Sequence, residues 1–373
     1  MPIVRAELDE LELPLVTPFA TSFGTQRRRR ILMVRLHADD GSLGWGECVA
    51  ASEPRYSAET VDSARAVIDR YLLPVIFREA NPTPLRFQRA VAWIRGHLMA
   101  RATVEMALWD LEAQRRRRSL ASLLGARRRR IPVGVSVGIE RPVAALVRRV
   151  GSYLEAGYVR VKLKVKPGWD TRPVAAVRRE HPDVPLWVDA NQAYPPSSAR
   201  SIAGWVRALD VAIIEQPFPA RALTAHAELG RQLGGRVALD ESIEDLTGFS
   251  DAVACRALSA LNVKPGRVGG LVPARALARR CLRSRIPAWV GGMLETGIGR
   301  AFNVALAATV PFSLPGDISA SNRYFARDLV DPPFELRSGG TLDVPQAPGL
   351  GVTIDERRYR ACLRRTIVRR RSR

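Results

Sequence analysis

The chain has 373 residues, 46% of them apolar, and a formal charge of +21 from 58 Lys and Arg against 37 Asp and Glu. That length suits a large barrel plus a second lobe; no run of eighteen apolar residues offers a transmembrane span, and the acidic N-terminal stretch MPIVRAELDELELPL argues against a signal peptide, so a cytoplasmic protein without a membrane partner is expected. The four cysteines (Cys48, Cys255, Cys281, Cys362) and four histidines (His37, His97, His181, His226) are dispersed, which argues against a disulfide framework or structural zinc and leaves oxygen ligands for any metal.

The first part of the chain reads as α+β. Ile3–Leu13, Arg30–His37 and Gly44–Glu47 are predicted strands, with an Asp39-Asp40-Gly41 turn between the last two. Residues 57–78, about 83–96 and about 99–118 read as helices, and Gly125 as a helix stop.

From about residue 131 short β-rich runs alternate with helical stretches. The predicted strands are Val133–Val137, Val159–Lys164, Leu186–Ala190, Val211–Glu215, Arg236–Asp240, Leu261–Lys264, Ala288–Gly291 and Ser313–Gly316. Most are separated by 20 to 30 residues, room for one helix and two loops. Eight such units predict a closed parallel barrel. An open doubly wound sheet would want a glycine-rich phosphate fingerprint after its first strand, and VSVGIE (Val135–Glu140) offers none.

The positive excess lies in arginine runs: Arg27–Arg30, Arg115–Arg118, Arg127–Arg130, and a tail with Arg364, Arg365, Arg369, Arg370, Arg371 and Arg373. They lack interleaved aromatics, so no specific nucleic-acid partner is expected. They are predicted at turns and element ends, in water. The charge still predicts salt-sensitive, nonspecific adhesion to polyanions.

In a parallel barrel the chemistry belongs at the C-terminal ends of the strands. Those ends carry Lys162 and Lys164, then VDAN with Asp189 and Asn191, IIEQP with Glu215, ALDES with Asp240 and Glu241, and NVKPG with Lys264. Three converging carboxylates would repel one another and resist desolvation. A hard divalent cation, Mg²⁺ or Mn²⁺, relieves both. Asp189, Glu215 and Asp240 form the expected ligand set, with Glu241 as the rival to Asp240. Asn191 and Glu241 are expected behind the ligands, Glu241 alternatively pairing with a lysine.

The stretch VRVKLKVK (Val159–Lys166) alternates strictly. A period of two puts Lys162 and Lys164 on one face, about 6.7 Å apart along the strand. Val161 and Leu163 take the helix-facing side, so the lysines face the barrel interior. Lys164, nearest the strand end, is the candidate general base. Lys162 is expected to lower its pKa and to bind a substrate oxygen. Lys264 arrives from the opposite wall. A metal between two opposed lysines suits removal of a proton α to a carboxylate.

These residues resemble the enolase superfamily, in its muconate-lactonizing-enzyme-like subgroup with the KxK motif. PFATSFGTQ, GWGECVA, GYVRVKLKVKPGWD, VDANQAY, IEQPF, LDESI, NVKPGRVGG, GGMLETGIGRA and LPGDISASNRYF together resemble the o-succinylbenzoate synthase / N-acylamino acid racemase family over nearly the whole chain. The resemblance implies a modified (β/α)7β TIM barrel beneath an N-terminal α+β capping domain completed by C-terminal residues. Residues 1–130 would be the cap, 131–322 the barrel, and 323–373 a segment returning to the cap with a basic tail.

It further implies Mg²⁺ on Asp189, Glu215 and Asp240, with Lys164 as acid/base catalyst and Lys264 as its counterpart. The implied reaction is syn-dehydration of 2-succinyl-6-hydroxy-2,4-cyclohexadiene-1-carboxylate to 2-succinylbenzoate, through an enediolate, for menaquinone synthesis. Racemisation of N-acylamino acids would begin with the same enediolate. The rivals on this scaffold are a dipeptide epimerase or a cycloisomerase.

Substrate selection is expected from the cap. Phe19 and Phe23 of PFATSFG are candidate apolar covers, with Gly24 as a lid hinge; inter-domain core is the alternative for both and for Met293. Gly291 is a candidate substrate contact; Met293, after Gly291-Gly292, is a candidate contact for the substrate side chain, and Ser136 for a polar group. Asp317 is a candidate for substrate binding or for a turn. The partners expected are a small-molecule carboxylate and further copies of the chain, as a dimer or octamer.

Overall fold

The computed structural model describes residues 1–371. The chain opens with an antiparallel sheet of β1 (Ile3–Ala20), β2 (Thr25–Ala38) and β3 (Leu43–Cys48) in sequential order. β1 and β2 run well beyond their predicted bounds, because cross-strand ion pairs hold their polar stretches. Pro14, Leu13 and Glu12 of β1 stand opposite Arg28, Arg29 and Arg30 of β2. Arg28 pairs with Glu12 and Arg30 with Glu10. The first arginine run therefore lies within a strand rather than at a turn, and Arg29 is buried.

α1 (Val61–Val67), a π-helical turn (Ile68–Leu72) and α2 (Leu73–Arg78) form a helical stretch where one helix was predicted. α3 (Pro84–Ala90) is shorter than expected, α4 (Leu98–Arg115) fills its stretch, and α5 (Leu120–Leu124) stops at Gly125, whose φ of 83° suits the left-handed cap. Ile3, Leu8, Leu32, Val34, Leu72 and Leu108 belong to the core between sheet and helices.

β4 (Arg130–Pro132) leads into seven βα repeats. In chain order they are β5 (Val135–Val137), α6 (Val143–Glu155), β6 (Val161–Lys164), α7 (Thr171–Glu180), β7 (Leu186–Asp189), α8 (Ala199–Ala208), β8 (Ile213–Glu215), α9 (Leu223–Leu233), β9 (Val237–Leu239), α10 (Leu246–Ala254), β10 (Ala260–Val263), α11 (Leu271–Arg283), β11 (Ala288–Val290) and α12 (Gly297–Ala307). The seven strands β5 to β11 form one parallel sheet in sequential order. The predicted eighth strand, Ser313–Gly316, closes the ring without a regular ladder. Gly134 N–H donates to Gly316 O at 2.8 Å, and Asp317 N–H to Val290 O at 3.0 Å. Pro315 has no N–H to extend the pairing. Val161, Leu163, Leu186 and Val188 pack outward, while Trp187, Ala238, Ala260 and Trp289 pack together as a separate cluster.

The chain then returns to the small domain. β12 (Val330–Asp331) pairs with β14 (Thr353–Ile354), β13 (Thr341–Asp343) pairs with β4, and α13 (Glu356–Cys362) leads into β15 (Leu363–Arg370), antiparallel to β1. The tail arginines up to Arg370, expected at turns and element ends, thus lie along an edge strand, with their side chains largely in water. Its exposed charges discourage further pairing. No helix among the described residues is long and apolar enough to cross a membrane.

Buried carboxylates of the cap region fasten the two units. Glu47 of GWGEC accepts from Thr296 N–H at 3.0 Å, Thr296 Oγ1 at 2.6 Å and Gly299 N–H at 2.8 Å, capping α12. Glu105 of α4 accepts from Leu271 and Val272 N–H at 2.7 and 2.8 Å, capping α11.

Candidate active site

A cavity of about 350 Å³ lies at the C-terminal ends of the strands, beneath β1–β2 and the loop after β3. Lys162, Lys164, Asp189, Asn191 and Lys264 line its inner end, and Phe19, Phe23, Met293 and Tyr324 its apolar wall.

Lys162 and Lys164 share a face of β6, as the alternation predicts, and both are buried. Lys162 Nζ donates to Glu215 Oε2 at 2.6 Å and pairs with Asp317. Burial alone would lower its pKa, but Asp317, Glu215 and Asp189 outweigh that and raise it, so Lys162 remains an ammonium. Lys164 Nζ donates to Asp189 Oδ2 at 2.6 Å and to Asn191 Oδ1 at 2.8 Å. Lys264, four strands around the ring at the end of β10, donates to Asp240 Oδ2 at 2.6 Å. Its pKa is likewise depressed by burial and carried well above normal by Asp240.

Asp189 and Glu215 end β7 and β8, Asp240 follows β9, and all three are buried. Among the described residues no three carboxylate, imidazole or thiolate side chains form a ready-made ligand cluster. Lysine ammoniums stand between the acids. The donor chemistry nevertheless fits a hard dication. Burial and the Asp189 charge push the Glu215 carboxyl up to about 7, and burial with Asp240 pushes Glu241 up to about 8. Glu241 Oε2 is buried without a hydrogen-bond partner. A divalent ion on Asp189, Glu215 and Asp240 would relieve this repulsion.

Asn191 is held at a positive φ of 44° and ties the two halves of the cluster. Its Nδ2 donates to Glu241 Oε1 at 3.1 Å while its Oδ1 accepts from Lys164. Ser136 and Asp317 also line the cavity, but Asp317 is already engaged. Arg160, Lys162 and Trp289 Nε1 all donate to it, and Ser136 Oγ lies 3.3 Å away. Arg160 holds the Asp317 carboxyl far below its usual range once burial is overcome. Gly291, expected at the substrate, instead makes room for Asn262, whose Oδ1 would lie 2.1 Å from any Cβ there. Asn262 Nδ2 in turn donates to Glu215 Oε1 at 2.7 Å.

The tip between β1 and β2 reaches over the cavity. Ser22 Oγ donates to the Asn191 carbonyl at 3.3 Å, Phe19 meets Tyr324 edge-on at 6.1 Å, and Phe23 leans on Tyr56 at 6.4 Å. Gly24, the expected hinge, packs against Arg55. Several site residues had no sequence signal. Tyr56 donates from its hydroxyl to Asp240 at 3.1 Å, and Arg267 Nε lies 2.8 Å from Asp240 Oδ1. Arg160 could have been found, since it continues the Lys162/Lys164 face by one more period.

Comparison with known proteins places both domains in one family. Residues 6–125 match the mandelate racemase / muconate lactonizing enzyme N-terminal domain, and residues 145–358 the enolase C-terminal domain-like family. The chain is 45% identical over 353 residues to an N-succinylamino acid racemase of Amycolatopsis, covering 94% of this chain and 95% of that one. It is 40% identical over 359 residues to an o-succinylbenzoate synthase of Enterococcus faecalis, covering 95% and 96%. A crystal structure of an enolase-superfamily member from Listeria innocua superposes with a TM-score of 0.94 at 40% identity, covering 100% of both chains.

Proposed function

The chain belongs to the enolase superfamily, with the N-terminal domain of the mandelate racemase / muconate lactonizing enzymes, and on that premise we propose that it is an o-succinylbenzoate synthase with N-succinylamino acid racemase as a companion activity. The observation that carries this reading is the pair Lys164 and Lys264 on opposite walls of one cavity, each bonded to a carboxylate of the three-strand series.

Asp189, Glu215 and Asp240 would hold Mg²⁺, with Mn²⁺ as substitute. When bound, the ion supplies positive charge to the substrate carboxylate and to the enediolate that follows deprotonation. Lys164 takes the α-proton. Lys162, kept cationic by Asp317 and Glu215, presents a fixed charge two residues away. That charge orients a substrate oxygen. In the dehydration of 2-succinyl-6-hydroxy-2,4-cyclohexadiene-1-carboxylate, the hydroxyl leaves from the face that lost the proton, taking that proton from Lys164 to depart as water and returning the amine, and Lys264 steadies the anion. Phe19, Phe23 and Met293 exclude water from the acyl arm.

The racemase reading is favoured by the symmetry of the lysines. An amine on each face can return the proton to either side of an N-acylamino acid. Purified protein with Mg²⁺, assayed on the cyclohexadiene carboxylate and on N-succinylamino acids, tests both. A kcat/KM at background on both substrates overturns the proposal. Assembly as a dimer or octamer belongs to the same proposal and is read by light scattering.

A further inference from the structure

The cavity has a second charged region, at its mouth. Arg27 and Arg55 line it there, together with the carboxylate of Glu53. The neighbouring arginines are engaged elsewhere. Arg28 pairs with Glu12, and the buried Arg29 donates to the carbonyls of Val49 and Ala50 at 2.7 and 3.0 Å. Arg27 is exposed.

Arg55 is engaged through two of its nitrogens. Its Nη1 donates to Phe23 O at 2.7 Å, which latches the lid tip. Its Nε edge already holds a carboxylate, that of Glu53, and the side chain is 56% exposed. A guanidinium accepts a carboxylate most strongly along such an edge. Arg27, Arg55 and Glu53 leave a net positive charge on the rim. The wall below them is apolar, formed by Phe19, Phe23 and Met293. A chain that crossed this wall and ended in a neutral group would leave that charge unmatched.

We propose that Arg55, assisted by Arg27, forms a second anion subsite that takes the distal carboxylate of a dicarboxylate substrate while the lysine end takes the reacting carboxylate. This rests on the function proposed above, whose two substrates both carry a succinyl arm. It makes the arm's free carboxylate a specificity determinant, and it couples substrate charge to the lid through the Phe23 carbonyl.

The test compares an N-succinylamino acid with the N-pentanoyl derivative of the same amino acid, which has similar reach and no distal charge. In Arg55→Met, KM for the succinyl substrate should rise about tenfold, and the succinyl/pentanoyl ratio of kcat/KM should fall by the same factor. Arg27→Ser should lower that ratio about threefold. Glu53→Gln should lower KM for the succinyl substrate, because it removes the internal competitor. An unchanged ratio in Arg55→Met overturns the proposal, as does an equal loss on both substrates, which would leave Arg55 a lid latch only. If the wild-type protein turns over no acyl carboxylate, the proposed function fails separately. The subsite is then judged by thermal shift with succinate against butanoate, and equal shifts reject it.

Discussion

The hydroxyl oxygen of Tyr56, on the loop after β3, accepts a hydrogen bond from Lys264 Nζ at 3.1 Å, and the same hydroxyl lies 3.1 and 3.2 Å from the two carboxylate oxygens of Asp240. A side chain of the small domain thus fixes a lysine of the barrel. Tyr56→Phe should lower kcat for racemisation about tenfold, through loss of a hydrogen bond to a charged group. KM should change little. Dehydration, in which Lys264 moves no proton, should suffer less. Equal losses in both reactions would contradict the assigned split.

Lys164→Ala should reduce dehydration and racemisation by about 10²–10⁴, the usual contribution of a positioned base. Lys264→Ala should abolish racemisation, yet α-proton exchange in D₂O should persist for the one enantiomer whose proton faces Lys164. Proton NMR of each enantiomer decides it. Exchange of both enantiomers in Lys264→Ala would remove Lys264 from the acid/base pair.

Chelator should abolish activity, and Mg²⁺ or Mn²⁺ should restore it. The carboxyls of Glu215 and Glu241 are pushed up to about 7 and about 8 by burial and neighbouring acids. Both bind their proton more tightly folded than unfolded, so the metal-free protein should lose stability as pH rises from about 4.5 to about 8. Differential scanning calorimetry in EDTA should show Tm falling across that window. Added Mg²⁺ should flatten the fall and release protons near pH 7, read by titration calorimetry in two buffers.

Asp9 is buried in β1 and accepts from Tyr359 Oη at 2.7 Å, Thr366 Oγ1 at 2.6 Å and Arg35 Nε at 2.7 Å. Tyr359→Phe should therefore cost about 1–3 kcal/mol, because a carboxylate loses a buried donor. Urea unfolding measures it, and kcat of the folded variant should stay near wild type.

The barrel strands were legible because their alternation or apolar runs are short, regular and bounded by helical stretches. That Asp189, Glu215, Asp240, Lys164 and Lys264 lie together was legible because strand ends in a parallel barrel converge. Tyr56 was not, since it arrives on a loop of the other domain and follows no period. The charge runs misled for a related reason. Arg29 looks identical to Arg27 in sequence, and the two share a face of β2, but Arg29 reaches the carbonyls of Val49 and Ala50 whereas Arg27, nearer the lid tip, lies in water. Gly291 was read as a contact when its lack of a side chain serves Asn262. Long-range partners of this kind are not written in local pattern.

The pairing of β15 with β1 joins, in a single sheet, a strand that precedes the barrel and one that follows it. Leu363–Arg370 leaves the ribosome after every strand of the barrel, so the small domain waits, with one flank unpaired, until the catalytic unit has been made. The lid tip extends from that same sheet, and a nascent chain therefore acquires its finished cover only after the whole barrel has been synthesised. Removing β15 would leave the lysines and acids in place and strip support from the roof above them.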